Sequence, residues 1–160
     1  MNKKKMIIHL FMIIVLVFVI SVIKNLDNND LSKKDKSIGV EENNPLLQYF
    51  IESHPANEVI LCGYEDVNND EMKDLIVIYN ISKNKNGMLV VISNDDKYIC
   101  SNEVFAPAEN QAIKFKNIDD KEEMEFIISG SKNGQVGYGI FRLENVEIIN
   151  LFGEGMEDCC

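Results

Sequence analysis

The hydrophobic positions of this 160-residue chain fall into three regimes. Residues 6–23 are almost unbroken apolar, residues 25–44 carry few large apolar side chains, and from residue 58 onward short β-branched runs alternate with turn residues. An apolar run of about 18 residues comes close to the length needed to cross a bilayer as a helix. Lys3, Lys4 and Lys5 precede it, which holds the N-terminus in the cytoplasm and sends the rest across. A cleaved secretory signal also begins with lysines, but its apolar region is about 7 to 15 residues long and ends at an Ala-x-Ala-like site. Ile20-Ser21-Val22-Ile23 offers no such site, and no cysteine stands near the end of the run to carry a lipid anchor. Residues 1–23 therefore read as an uncleaved single-pass membrane anchor, with a cleaved signal as the alternative. Under either reading the body of the chain lies outside the cytoplasm.

Residues 24–44, rich in Asn, Asp, Lys and Ser, have the composition of a flexible stalk. A folded, β-rich domain is expected over 45–152. Asn44 before Pro45 gives a capping residue and a first-turn proline, and Leu46, Leu47, Phe50 and Ile51 follow at helical spacing. One short helix is expected from Pro45 to Ser53, ended by His54-Pro55. Alternation then predicts eight strands, at 59–64, 74–81, 88–93, 98–105, 111–115, 123–129, 136–142 and 146–151. Asn86-Gly87 and Asn133-Gly134 read as strong hairpin turns, and Asn94-Asp95 and Glu144-Asn145 as weaker ones. The segment from Asp66 to Val77 recurs in pattern from Asn117 to Ile128, so the strands form two copies of one unit. The expected fold is mainly β: a transmembrane helix, a short helix, then two blade-like, four-stranded antiparallel meanders. Two blades cannot close a ring, so the sheets must cover each other or pack on the Pro45 helix.

The formal net charge is -10, and beyond residue 24 it becomes -14, with 12 basic against 26 acidic residues. Such a surface repels nucleic acid and anionic lipid and attracts cations. Within the first repeat, Asp66, Asn68, Asp70 and Asp74 stand on alternate residues of a loop leading into an apolar strand, with the carbonyl of Met72 as a further oxygen. This pattern resembles the acidic loop of FG-GAP and VCBS-type repeats, and the resemblance implies Ca²⁺ as a structural ion. Glu71 stands where that pattern has glycine, and Lys121 replaces a ligand in the second copy. The plainer reading makes both loops Asx-rich turns whose side chains cap their own backbone.

Four cysteines remain. In a plain meander Cys62 and Cys100 lie about three strand spacings apart, too far for a bridge, and read as small apolar side chains. Cys159 and Cys160 are adjacent, and a ring between neighbours is strained. The acidic stretch Glu154 to Asp158 raises thiol pKa values, and no Lys, Arg or His follows Arg142. Metal coordination deprotonates thiols directly, and paired sulfurs select soft ions. Residues 153–160 thus read as a flexible acidic tail, with Gly153 and Gly155 supplying the swing, whose Cys159 and Cys160 capture a soft metal.

The anchored N-terminus, the acidic β-rich body and the Cys159-Cys160 ending are similar to the Cys-Cys-COOH (seleno)protein family of anaerobic bacteria. That resemblance implies a cell-membrane protein of organometal detoxification. Cys159 and Cys160 would hold a soft metal or organometal and pass it to a transporter or a thioredoxin-like protein. The alternatives are a thiol-disulfide redox protein, which lacks the Cys-x-x-Cys arrangement of that class, and a Ca²⁺-stabilised binding or scaffold module. Nothing resembles a hydrolase constellation, a phosphate loop or a histidine zinc site, so the chain reads as a binding protein without catalytic residues.

Overall fold

In the computed structural model, which describes residues 38–94 and 97–160, helix α1 spans Pro45–Ser53. Asn44 caps it, its side-chain oxygen accepting from the Leu46 and Leu47 amides at 2.9 and 3.2 Å. At the other end the His54 amide bonds the Phe50 carbonyl, and the His54 ring stacks on Phe50. The residues expected to form the anchor, and the stalk up to residue 37, lie outside the described residues. Among the described residues no helix is long and apolar enough to cross a membrane. The Ile38 carbonyl accepts from the Cys62 amide, and Ile38 and Val40 pack against the core beneath α1, so the C-terminal end of the predicted stalk belongs to the fold.

Nine strands follow: β1 (Val59–Glu65), β2 (Asp74–Ser82), β3 (Lys85–Asn94), β4 (Lys97–Cys100), β5 (Val104–Ala106), β6 (Glu109–Phe115), β7 (Phe126–Lys132), β8 (Gln135–Glu144) and β9 (Glu147–Glu154). They form two antiparallel sheets, β1-β2-β3-β4 with β5 also on β3, and β6-β7-β8-β9. A final turn of helix, α2, spans Met156–Cys159. The strand expected at 98–105 is broken because Ser101 uses its hydroxyl to accept from the Val90 amide, and Asn102 turns away to accept from the Ile148 amide of β9. The second hairpin tip is Asn133-Gly134 as expected, with φ of 51° and 82°. The first is not Asn86-Gly87. Both lie within β3, where Gly87 pairs with Tyr79, and the tip falls at Lys83-Asn84 instead. A side chain at Gly87 would meet the Tyr79 ring, so its glycine serves packing rather than turning.

The sheets cover each other, and α1 covers the far side of the first. Ile76, Ile78, Met88 and Val90 meet Phe126, Ile128, Phe141 and Leu143 in the inter-sheet core. On the opposite face Leu75, Val77, Tyr79 and Val91 pack against Leu46, Leu47 and Phe50. Because β2 and the middle of β3 are covered on both faces, they read as continuous apolar runs rather than alternating ones.

One ion cluster is embedded in the second sheet. Arg142 on β8 and Glu125, just before β7, are both buried, and Arg142 Nε donates to Glu125 Oε1 at 2.8 Å. Its terminal nitrogen also donates to Glu125 and to Asp119. A buried charge that loses its partner is strongly destabilising. Glu125→Ala should lower the unfolding free energy by ~3–5 kcal/mol in urea denaturation; a loss below about 1 kcal/mol would mean the cluster carries little of the fold.

Candidate functional site

In each sheet an acidic loop joins the first strand to the second and is closed by a buried carboxylate. In the first, Asp74 accepts from the Val67 amide at 3.2 Å and the Ser93 amide at 3.0 Å. In the second, Glu125 accepts from the Ile118 amide at 2.8 Å, across the same seven-residue interval. Burial pushes the Asp74 carboxyl up to about 6, with Asp70 and Asp66 adding repulsion and the two amides partly offsetting it. Within the loop, Asp66 accepts from the amides of Asp70 and Glu71, and Asp70 from that of Met72. These are Asx-type bonds that hold the turn by themselves. Glu71 has a φ of 66°, a left-handed conformation that favours glycine. Asp66, Asn68, Asp70, Met72 and Asp74 therefore share one tight loop. Among the described residues, however, no three His, Cys, Asp or Glu side chains converge as a metal site.

The sulfur pair is built at the other end of the strands. The tail expected to be flexible is packed: β9 continues to Glu154, and Gly155, with φ of 64°, turns the chain into α2. Gly137 on β8 makes this possible. A side chain there would sit 2.4 Å from the Gly155 carbonyl oxygen and 2.8 Å from Cys159 Sγ. Gly139, two residues on, leaves room for the Phe141 ring instead, with Met156 at ordinary contact distance. Gly134, by contrast, forms the hairpin turn. The carbonyl of Cys159 accepts from the Ala108 amide at 2.9 Å, and Lys132 Nζ donates to the main-chain oxygen of Cys160 at 2.6 Å.

All four cysteines are free. Cys62 and Cys100 lie on β1 and β4, separated by β2 and β3, as the meander requires. Cys159 is fully buried and Cys160 half-buried, their sulfurs 3.6 Å apart. Burial and the neighbouring Cys159 push the Cys160 thiol up to about 12 against the opposing pull of Lys132. That lysine, twenty-eight residues upstream, escapes any reading of sequence neighbours. Beside Cys160 opens a cleft of about 490 Å³, walled by Val104, Phe105, Phe141, Met156 and Lys132. Lys85 covers the exposed Phe105 ring from 4.0 Å. The arrangement offers two adjacent thiols, one sealed and one facing a largely apolar cavity.

No protein-family model matches the chain, and no curated protein or solved structure matches it either.

The Gly137 contact gives a direct test of the docked tail. Gly137→Ala should expose Cys159 to a thiol-labelling reagent, raising its modification rate at least about tenfold while leaving the core folded, since the new methyl meets backbone that cannot yield. Unchanged labelling with unchanged circular dichroism would contradict the close packing.

Proposed function

We propose that this chain is a membrane-tethered, extracytoplasmic thiol protein that binds a soft metal or organometal through Cys159 and Cys160. It hands that cargo to a transporter or thioredoxin-like partner, in the manner of a metal-detoxification component. The observation that carries the reading is an unbridged sulfur pair, 3.6 Å apart, beside an apolar cleft.

The chemistry follows from the surroundings of the pair. A thiol pushed up to about 12 is almost wholly protonated at neutral pH, so it is a poor nucleophile and a poor partner in disulfide exchange. A soft cation reverses this by displacing the protons as it binds. Glu154, Glu157 and Asp158 are exposed around the pair and raise the local cation concentration. The cleft walls suit an organic substituent on the metal, which enters without giving up hydrogen bonds. Transfer would begin at Cys160, the sulfur that reaches the cleft: a partner thiolate enters the coordination sphere as Cys160 leaves, and Cys159 follows. The disulfide-cycling reading gains no such support. In anaerobic titration of the full chain with Hg²⁺, the tightest site should take one ion per chain. Cys159→Ser combined with Cys160→Ser should weaken binding by about a hundredfold or more, as expected when both thiolates are lost. Equal binding by both proteins would remove the reading.

A second reading, Ca²⁺ in the Asp66 loop, has one observation in its favour. The matching place in the second sheet holds a cation, the Arg142 guanidinium, between Asp119 and Glu125. The first sheet has Ile92 at the position of Arg142, and the one basic side chain of its loop, Lys73, pairs with Glu65 instead. If Ca²⁺ binds, the melting temperature of the wild type rises with millimolar Ca²⁺ and that of Asp70→Ala does not; identical responses would remove the ion.

A further inference from the structure

We propose that Met156 is a third ligand of the soft-metal site, and that the resulting thioether-dithiolate set selects copper(I). The inference rests on the reading of Cys159 and Cys160 as a metal pair and adds to it a residue, a coordination number and a metal.

The sulfurs of Met156 and Cys159 are 3.8 Å apart, and those of Cys159 and Cys160 are 3.6 Å apart. Met156 and Cys159 are three residues apart on one turn of helix, which places both side chains on the same face. Cys160, the next residue, closes the group from the cleft side, where Met156 also forms part of the wall. The arrangement is held from outside. Gly137 admits α2 against β8, Ala108 fixes the Cys159 carbonyl, and Lys132 fixes the Cys160 oxygen. Sulfurs brought together in this way need little ordering when an ion arrives.

Spacing bears on the coordination number and donor type on the ion. With a metal–sulfur bond of about 2.3 Å, two sulfurs stand roughly 4.6 Å apart in a linear site and roughly 3.8 to 4.0 Å apart around a tetrahedral or trigonal ion. The observed separations of 3.6 and 3.8 Å fit an ion with more than two ligands rather than a linear pair. A neutral thioether beside two thiolates is a soft set, suited to Cu(I) and unsuited to Mg²⁺ or Ca²⁺. Binding releases two protons, one from each thiol, while Met156 contributes a lone pair and the oxidation state of copper does not change. The bound site carries one net negative charge, and Lys132 stands beside it as counter-charge.

The test uses the full chain in detergent, labelled with selenomethionine, and loaded anaerobically with Cu(I) from a competing chelator. Copper-edge X-ray absorption should show one selenium and two sulfur neighbours, and Met156→Leu should lose the selenium shell and bind Cu(I) about tenfold or more weakly. A copper environment of sulfur alone in the labelled wild type overturns the assignment of Met156 while leaving the cysteine pair intact. Cu(I) binding that survives Cys159→Ser with Cys160→Ser overturns the underlying reading as well. Because the selenium signal is read on the wild-type fold, a poorly folded Met156→Leu does not blunt the test.

Discussion

Burying a carboxylate is costly unless its oxygens are satisfied, and this fold does it twice at equivalent places. Asp74 and Glu125 each tie the start of an acidic loop to the start of a central strand by accepting an amide seven residues back. The two halves then satisfy the remaining oxygens differently. Asp74 accepts a second amide, from Ser93 on β3, whereas Glu125 takes the guanidinium of Arg142 on β8. In both cases the bond spans the central hairpin of its sheet and fixes its register. A slip of one residue would leave a charge unpaired in the interior, which the fold cannot tolerate.

From that register the geometry of the distant end follows. Phe126 pairs with Phe141, so Gly130 stands opposite Gly137, and the inner face of β8 runs from Leu143 and Phe141 to two glycines. The apolar side chains fill the space between the sheets, Gly139 makes room for the Phe141 ring, and Gly137 leaves room for α2 to lie against the strand. Cys159 is thereby sealed and Cys160 faces the cleft. The sulfur site is thus an extension of the inter-sheet core rather than an appendage, and its accessibility is set by packing.

Much of the architecture was readable in the residues. The Asn44-Pro45 start, the alternating runs, the two-unit repeat and the Asn133-Gly134 turn each reflect a local preference that tertiary packing reinforces. Where packing overrides a local preference, the reading failed. Gly87 mimics a turn residue but is small because the Tyr79 ring covers it, and Gly155 looks like a source of swing but is held in place by Gly137. The cysteine pair announced itself by being adjacent. Met156 carried one usable sign, its three-residue spacing from Cys159, while Lys132 carried none, since only the pairing of β7 with β8 brings it to the end of the chain. Arg142, the one arginine among sixteen basic residues, was open to notice as a candidate for bidentate pairing.

The Arg142 cluster has a consequence for how the two halves respond to their surroundings. A guanidinium is a cation that cannot diffuse away, be chelated or be outcompeted, so the loop it occupies keeps its shape whatever salts bathe the protein. The first loop has amides alone, its own and that of Ser93, to quiet three carboxylates. The half that carries Cys159 and Cys160 is therefore insulated from the ionic composition of its surroundings, and the other half remains exposed to it.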